Sequence, residues 1–233
     1  MMSLRPDDAE QLARFVERAM GLRIVETVSD PASSPPMAYL CHSFFEGGLP
    51  RGGEPADDGG PSSRGLSECG GLKKDAVVWA CRGGGKTMLG AVATLLDMVF
   101  KPGVSIRILG GSLEQSQKMY SHLAELFDRP VFAKLTAAPP TQRRIELVNG
   151  SVVELLAQSH RSVRGTRVHI LRCDEVEEFQ DDVWQAAQLV TRSGWCGDVY
   201  VHGRIEALST MHRPFGLMNR LIATGHAQVF RWQ

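Results

Sequence analysis

The sequence predicts an α/β fold in three layers, with helices flanking a mainly parallel central sheet. Three observations carry this. Short, nearly continuous apolar runs at 75–81, 104–109 and 168–173 have the length and composition of strands buried on both faces. Stretches with helical spacing separate them. A glycine-rich turn, Arg82-Gly83-Gly84-Gly85, joins the first run directly to a long helical stretch.

Taken in order, residues Asp7 to Met20 read as an amphipathic helix. Leu12, Phe15, Val16 and Ala19 share one face, Pro6 with Asp7 or Asp8 marks the start, and Gly21 stops it. Residues 30–37 read as a linker, followed by a short apolar island, Ala38 to Phe45. The tract from Gly47 to Gly71 holds nine glycines and three prolines, too little apolar surface to offset backbone ordering, and is expected to be a mobile loop or linker. Asp75–Cys81 is then a strand and Gly85–Phe100 a helix closed by Lys101-Pro102-Gly103. Val104–Leu109 is the next strand. Ser112, with Gln115 as its capping-box partner, opens a helix reaching about Phe127. Asn149-Gly150 marks a hairpin between Arg144–Val148 and Ser151–Leu156. Val168–Cys173 is a further buried strand and Asp182–Arg192 a helix. Val199–His202 and Ile205–Ser209 read as strands, and the last helix lies near Pro214–Ala223.

Composition narrows the function classes. The 233 residues are 43% hydrophobic and 22% charged, enough for a packed core. No window reaches the roughly 18 consecutive apolar residues of a membrane span, and the first residues have no apolar stretch of the secretory kind. Five cysteines (Cys41, Cys69, Cys81, Cys173, Cys196) form no CxxC pair, which points to reduced thiols and a cytoplasmic setting. Lys+Arg and Asp+Glu are both 26, so any nucleic-acid contact must come from a local patch.

The strongest chemical signal is Ala80-Cys81-Arg82-Gly83-Gly84-Gly85-Lys86-Thr87, between a buried strand and a helix. Consecutive glycines let backbone N–H groups turn around phosphate oxygens, and the helix N-terminus adds its positive dipole end. Lys86 would reach the β- and γ-phosphates, and the Thr87 hydroxyl would join a Mg2+ shell. Ala80 stands where the usual first glycine of such loops would be. The second signal is an apolar strand ending in Asp174-Glu175, 87 positions after Thr87. Asp174 would hold Mg2+ through water, and Glu175 would orient and deprotonate the attacking water. Taken alone, the pair with Glu177 and Glu178 reads as a solvated helix start.

Ser209-Thr210 closes a strand, where a hydroxyl pair can touch the γ-phosphate or its water, or else cap the following helix. Arg161, Arg164, Arg167 and Arg172 form a run without acids. It could supply an arginine to a neighbouring subunit's γ-phosphate, contact DNA phosphates, or be a solvated basic loop. Arg82 is placed to stabilise transition-state charge in cis. Cys41-His42 lacks a second pair at zinc-ligand spacing and belongs with Tyr39, Phe44 and Phe45 in an apolar cluster. His160, His169 and His202 each stand alone and read as structural.

Together, Arg82–Thr87, the Arg164-Gly165-x-Arg167 segment leading into Ile170–Glu175, and Leu208-Ser209-Thr210 resemble the ATPase domain of the large terminase subunit of tailed phages. The arginine-containing loop without its first glycine is the most telling feature, and the resemblance covers roughly Asp75 to Trp232. It implies a P-loop NTPase of the ASCE/RecA-like type: an Mg-dependent ATPase acting in the host cytoplasm in a homo-oligomeric ring that drives double-stranded DNA into a capsid, with a portal protein and a small terminase subunit as partners and no membrane. By that resemblance Cys81, Arg82, Gly83, Gly84, Gly85, Lys86 and Thr87 bind ATP, Thr87 and Asp174 hold Mg2+, and Glu175 is the catalytic carboxylate. Arg82 is the loop arginine, Ser209 and Thr210 are the coupling motif, and Arg164 is the trans-acting arginine, with Arg161 and Arg167 as alternatives. The implied organisation is an N-terminal helical appendage at 1–46, a Gly/Pro-rich linker at 47–71 and the ATPase domain at 72–233. The 23 residues after Thr210 leave no room for the family's nuclease domain, and the long tract before the loop leaves the adenine contacts unassigned. A helicase-like translocase shares the loop and the acid pair. A small-molecule kinase would leave Glu175 idle. A non-catalytic nucleotide-binding assembly module would not need the Lys86, Thr87, Asp174 and Glu175 set.

Overall fold

The computed structural model describes residues 5–28, 30–46, 48–50, 73–156, 167–210 and 214–233. Among them a seven-stranded sheet runs in the order β10-β2-β9-β6-β3-β5-β4, where β2 is Ala76–Ala80, β3 Ser105–Gly110, β4 Arg144–Glu146, β5 Val152–Leu156, β6 Ile170–Asp174, β9 Arg204–Ser209 and β10 Gln228–Trp232. All neighbours are parallel except β4, which pairs antiparallel with β5 through the predicted Asn149-Gly150 turn. The predicted fold class holds. β9 lies between β2 and β6, so the strand carrying Ser209 separates the strand before the glycine-rich loop from the strand that ends in Asp174.

Alternation along the strands assigns the two faces. Ala76, Val78 and Ala80 of β2, with Leu208 of β9, join the larger core under α1 (Ala9–Met20), α2 (Pro36–Cys41), α3 (Lys86–Phe100) and α4 (Leu113–Phe127). Val77, Leu171, Cys173 and Ala207 face the other way, toward α6 (Asp181–Ala187) and α7 (Leu217–Thr224). α5 (Pro130–Ala133) is a single turn after α4. A small antiparallel sheet joins β1 (Gly48–Pro50), β8 (Val199–Val201) and β7 (Gly194–Cys196).

The start signals read from sequence work as local chemistry. The Asp8 carboxylate accepts from the Gln11 N–H at the start of α1, and Gly21 ends that helix in the left-handed region. Ser112 caps α4 by accepting from the Gln115 N–H. The apolar island is α2 followed by a π-helical turn, His42–Glu46, and Tyr39 and Phe44 sink into the main core. Part of the glycine-rich tract is a strand, β1; its remainder, Gly47 and residues 51–71, lies outside the described residues. α6 stops at Ala187, short of the expected Arg192, because the chain leaves it to pair with Val168: Val168 donates to the Val190 carbonyl and Arg192 donates to the Val168 carbonyl. His169 is structural, its Nδ1 accepting from the Ser105 N–H at 3.0 Å.

Arg172 overturns its expected place in a basic run facing solvent, DNA or a neighbouring subunit. Strand alternation turns it into the core under α3, where it is fully buried. Its guanidinium bonds Glu206 Oε2 at 3.0 Å, Thr94 Oγ1 at 3.1 Å, Ser43 Oγ at 2.9 Å and the Asp97 carboxylate. Arg204 pairs with the same two acids, and Lys101 pairs with Asp97. Tyr39 and Ser43 donate to Glu206, tying the N-terminal segment to the middle of the sheet. Together these bonds satisfy both carboxylates, the condition under which buried charges are tolerated.

Candidate active site

The C-terminal ends of β2, β9 and β6 stand side by side, and each delivers one of the sequence signals. Beyond Ala80 the chain makes the loop 81–85 and enters α3 at Lys86. Gly83 and Gly85 have φ of +80° and +77°, a region side chains disfavour. The first turn of α3 has no side-chain cap, so its N–H groups and dipole point at the loop, as anion binding requires.

Lys86 is buried, and its Nζ donates to the Ala80 and Cys81 carbonyls at 3.2 and 3.1 Å and to Thr210 Oγ1 at 2.8 Å. The loop lysine thus touches the end of β9. Thr87 Oγ1 donates to Asp174 Oδ2 at 2.9 Å. Burial is the main influence on Asp174, raising its pKa to about 6; neighbouring Glu175 adds to the rise while the Thr87 bond opposes it. A cation on these two oxygens would relieve that desolvation, so the pair fits a hard divalent ion.

Glu175 has φ +52°, the one non-glycine residue with positive φ among those described. That geometry costs roughly 1–2 kcal/mol, and three contacts hold it. Its N–H donates to Asp174 Oδ1 at 3.1 Å, its carbonyl accepts from Glu178 N–H at 3.0 Å, and Ser209 Oγ donates to its Oε2 at 3.2 Å. Strain held in place beside a pair of acids is the pattern of a functional site. Of the two readings for Ser209-Thr210, both hydroxyls face the site: Ser209 meets Glu175 and Thr210 meets Lys86. The following helix α7 takes Gly216, not either hydroxyl, as its N-cap.

Arg82 and Cys81 are exposed on the loop. Arg161 and Arg164 lie outside the described residues, and Arg167 is exposed just before β6. Two contributors escaped the sequence reading. Trp232, at the end of the unanticipated β10, donates from Nε1 to the Gly84 carbonyl at 2.6 Å and accepts from the Cys81 N–H through its own carbonyl; the apolar–polar–apolar step Phe230, Arg231, Trp232 is the available signal. Beside it a cavity of about 370 Å3 opens against the loop, walled by Trp79, Cys81, Thr210, Arg231 and Trp232. Glu177, read as part of a solvated helix start, is instead buried, its carboxylate bonded to α7.

Solved structures share this architecture. The Thermus phage P74-26 large terminase ATPase domain superposes with a TM-score of 0.54 at 13% identity, over 68% of this chain and 75% of that one. The HK97 bacteriophage large terminase gives 0.60 at 14% identity, over 96% of this chain and 43% of its own length. The large terminase of a thermophilic bacteriophage in complex with ADP gives 0.51 at 12% identity, over 69% of this chain and 40% of that one. The chain therefore has the fold of phage large terminase ATPase domains and spans less than half of the longer terminases it matches. No protein-family model and no curated protein matches it. Among the described residues no helix is long and apolar enough to cross a membrane.

Proposed function

We propose that this chain is the ATP-hydrolysing motor domain of a large terminase, converting nucleotide turnover into movement of double-stranded DNA into a procapsid in the host cytoplasm. The observation that carries the reading is the meeting of loop, acids and coupling hydroxyls at three adjacent strand ends, closed by the Thr87–Asp174 and Lys86–Thr210 bonds. The terminase fold, shared with a neighbour solved with ADP, supports it.

In this reading the N–H groups of residues 82–87 cradle the β- and γ-phosphates of ATP. Lys86 exchanges its carbonyl partners for phosphate oxygens. Thr87 and Asp174 hold Mg2+, which when bound neutralises phosphate charge. Glu175 accepts the proton of the water that attacks the γ-phosphorus in line, and Ser209 fixes the carboxylate that does so. Arg82 stabilises charge on the transferred group, and Arg164 does the same from a neighbouring subunit in a homo-oligomeric ring. The cavity walled by Trp79, Arg231 and Trp232 receives the base. A portal protein and a small terminase subunit are the expected partners on the capsid.

Steady-state ATPase activity, with and without double-stranded DNA, tests the reading. Lys86→Ala should abolish turnover, and Glu175→Gln should keep ATP binding while losing at least about 100-fold in rate. Turnover in Glu175→Gln at the wild-type rate would sink the role given to that residue. ATP bound by the wild type with no turnover, with or without DNA, would favour an assembly module.

A further inference from the structure

Glu177 is a carboxylate that the hydrolytic machinery does not use, yet it is 4% exposed and lies two residues beyond Glu175. Its Oε1 accepts from the Met218 N–H at 2.8 Å, in the first turn of α7. Its Oε2 finds no hydrogen-bond partner among the described residues. Room for it exists because residue 216 is glycine: a Cβ there would fall 1.8 Å from Oε2. α7 has no side-chain cap from its own segment, so Glu177 serves as a cap from across the site, where a negative group also suits the helix dipole. Its own N–H donates to Ser209 Oγ at 3.4 Å, and the same hydroxyl donates to Glu175 Oε2.

We propose that Glu177 is a positioning residue that holds the Glu175 turn against α7, so that the seating of α7 and the aim of the catalytic carboxylate change together. This rests on the hydrolase reading given above. Two grips fix the turn: Ser209 from β9 and, through Glu177, the first turn of α7. The route runs from Lys86 to Thr210 and Ser209, then to Glu175 and Glu177, and ends on α7. A shift at the phosphate loop therefore has a bonded path to a helix on the opposite face of the sheet. Removal of the Glu177 carboxylate cuts that path while leaving every phosphate-binding group in place.

The test compares Glu177→Ala, Glu177→Gln and Gly216→Ala with the wild type by steady-state kinetics and by amide hydrogen exchange with and without Mg·ADP. Arg220→Ala, which removes only the exposed pair with Asp181, is the surface control. Glu177→Ala and Gly216→Ala should lower kcat at least tenfold with KM within twofold. Glu177→Gln, whose amide oxygen still accepts from Met218, should recover most of the rate. In the wild type Mg·ADP should change exchange at 217–221 at least threefold, and Glu177→Ala should remove that response. Unchanged kcat in both Glu177→Ala and Gly216→Ala would overturn the proposal, as would an intact or wholly absent exchange response. A wild type that binds Mg·ADP without turnover would overturn the hydrolase reading instead, and exchange alone would then decide the link.

Discussion

Arg172 shows how far one residue can depart from the reading its neighbours suggest. In sequence it closes a series of arginines; in the fold it is the middle of a buried ion cluster, two positions before Asp174. A cation inside a five-residue strand looks like surface until its partners are known, and Asp97 and Glu206 come from elements 75 and 34 positions away. No local pattern reveals that meeting. Glu177 was hidden for the same reason, since its partner lies 41 positions on. Deleting one member of such a cluster leaves the others buried and underpaired, at a cost of about 3–5 kcal/mol. Arg172→Ala should lose stability on that scale in urea unfolding. A loss below about 1 kcal/mol would mean that the cluster contributes almost nothing to holding β6 and β9 in place.

At the scale of elements, the sequence announced what depends on neighbours along the chain. The loop 82–87, the cap at Ser112 and the Asn149-Gly150 turn are local devices, and each stands where expected. The place of β10 beside β2, and of Trp232 under the loop, arises from packing across the sheet and left only a faint alternation. How tightly elements approach is equally a tertiary property, and two glycines separate it from helix propensity. A Cβ on Gly110, the last residue of β3, would lie 2.5 Å from the Ser116 nitrogen and 2.8 Å from the Ser112 carbonyl, both backbone atoms of the α4 start. A Cβ on Gly90 in α3 would press on the end of Met119, its Cε at 2.6 Å and its Sδ at 3.1 Å, and touch Leu208 Cδ2 at an ordinary 3.4 Å; a methionine end can swing aside. Gly110→Ala should therefore cost about 1–3 kcal/mol as α4 is pushed off the sheet. Gly90→Ala should come close to neutral, since alanine gains about 1 kcal/mol of helix propensity against the repacking. Thermal unfolding of the two variants decides the point, and a larger loss at Gly90 would reverse it.

At the scale of the molecule, the buried cluster makes stability depend on pH at two ends. Three cations, Lys101, Arg172 and Arg204, surround two carboxylates, Asp97 and Glu206. Guanidinium groups keep their protons, so Lys101 is the member able to shed one. Burial is the largest influence on Lys101, and with the cationic neighbours Arg204 and Arg5 it outweighs the pull of Asp97, bringing the ammonium down to about 7. Between about pH 7 and the ordinary lysine value near 10.4, the unfolded chain then binds a proton that the fold does not, so stability should rise with pH across that window. Glu206 is held well below the ordinary carboxylate range because Arg172 and Arg204 more than offset its burial. Its contribution is complete above the unfolded value near 4.3 and fades as pH falls below it. Urea midpoints measured from pH 3 to pH 8, below the range where the raised thiols of Cys173 and Cys196 pull the other way, should show both limbs. Lys101→Met should flatten the alkaline limb and leave the acid one. If the alkaline rise persisted in that variant, the surplus proton would belong elsewhere, and the cluster would be held with Lys101 charged throughout.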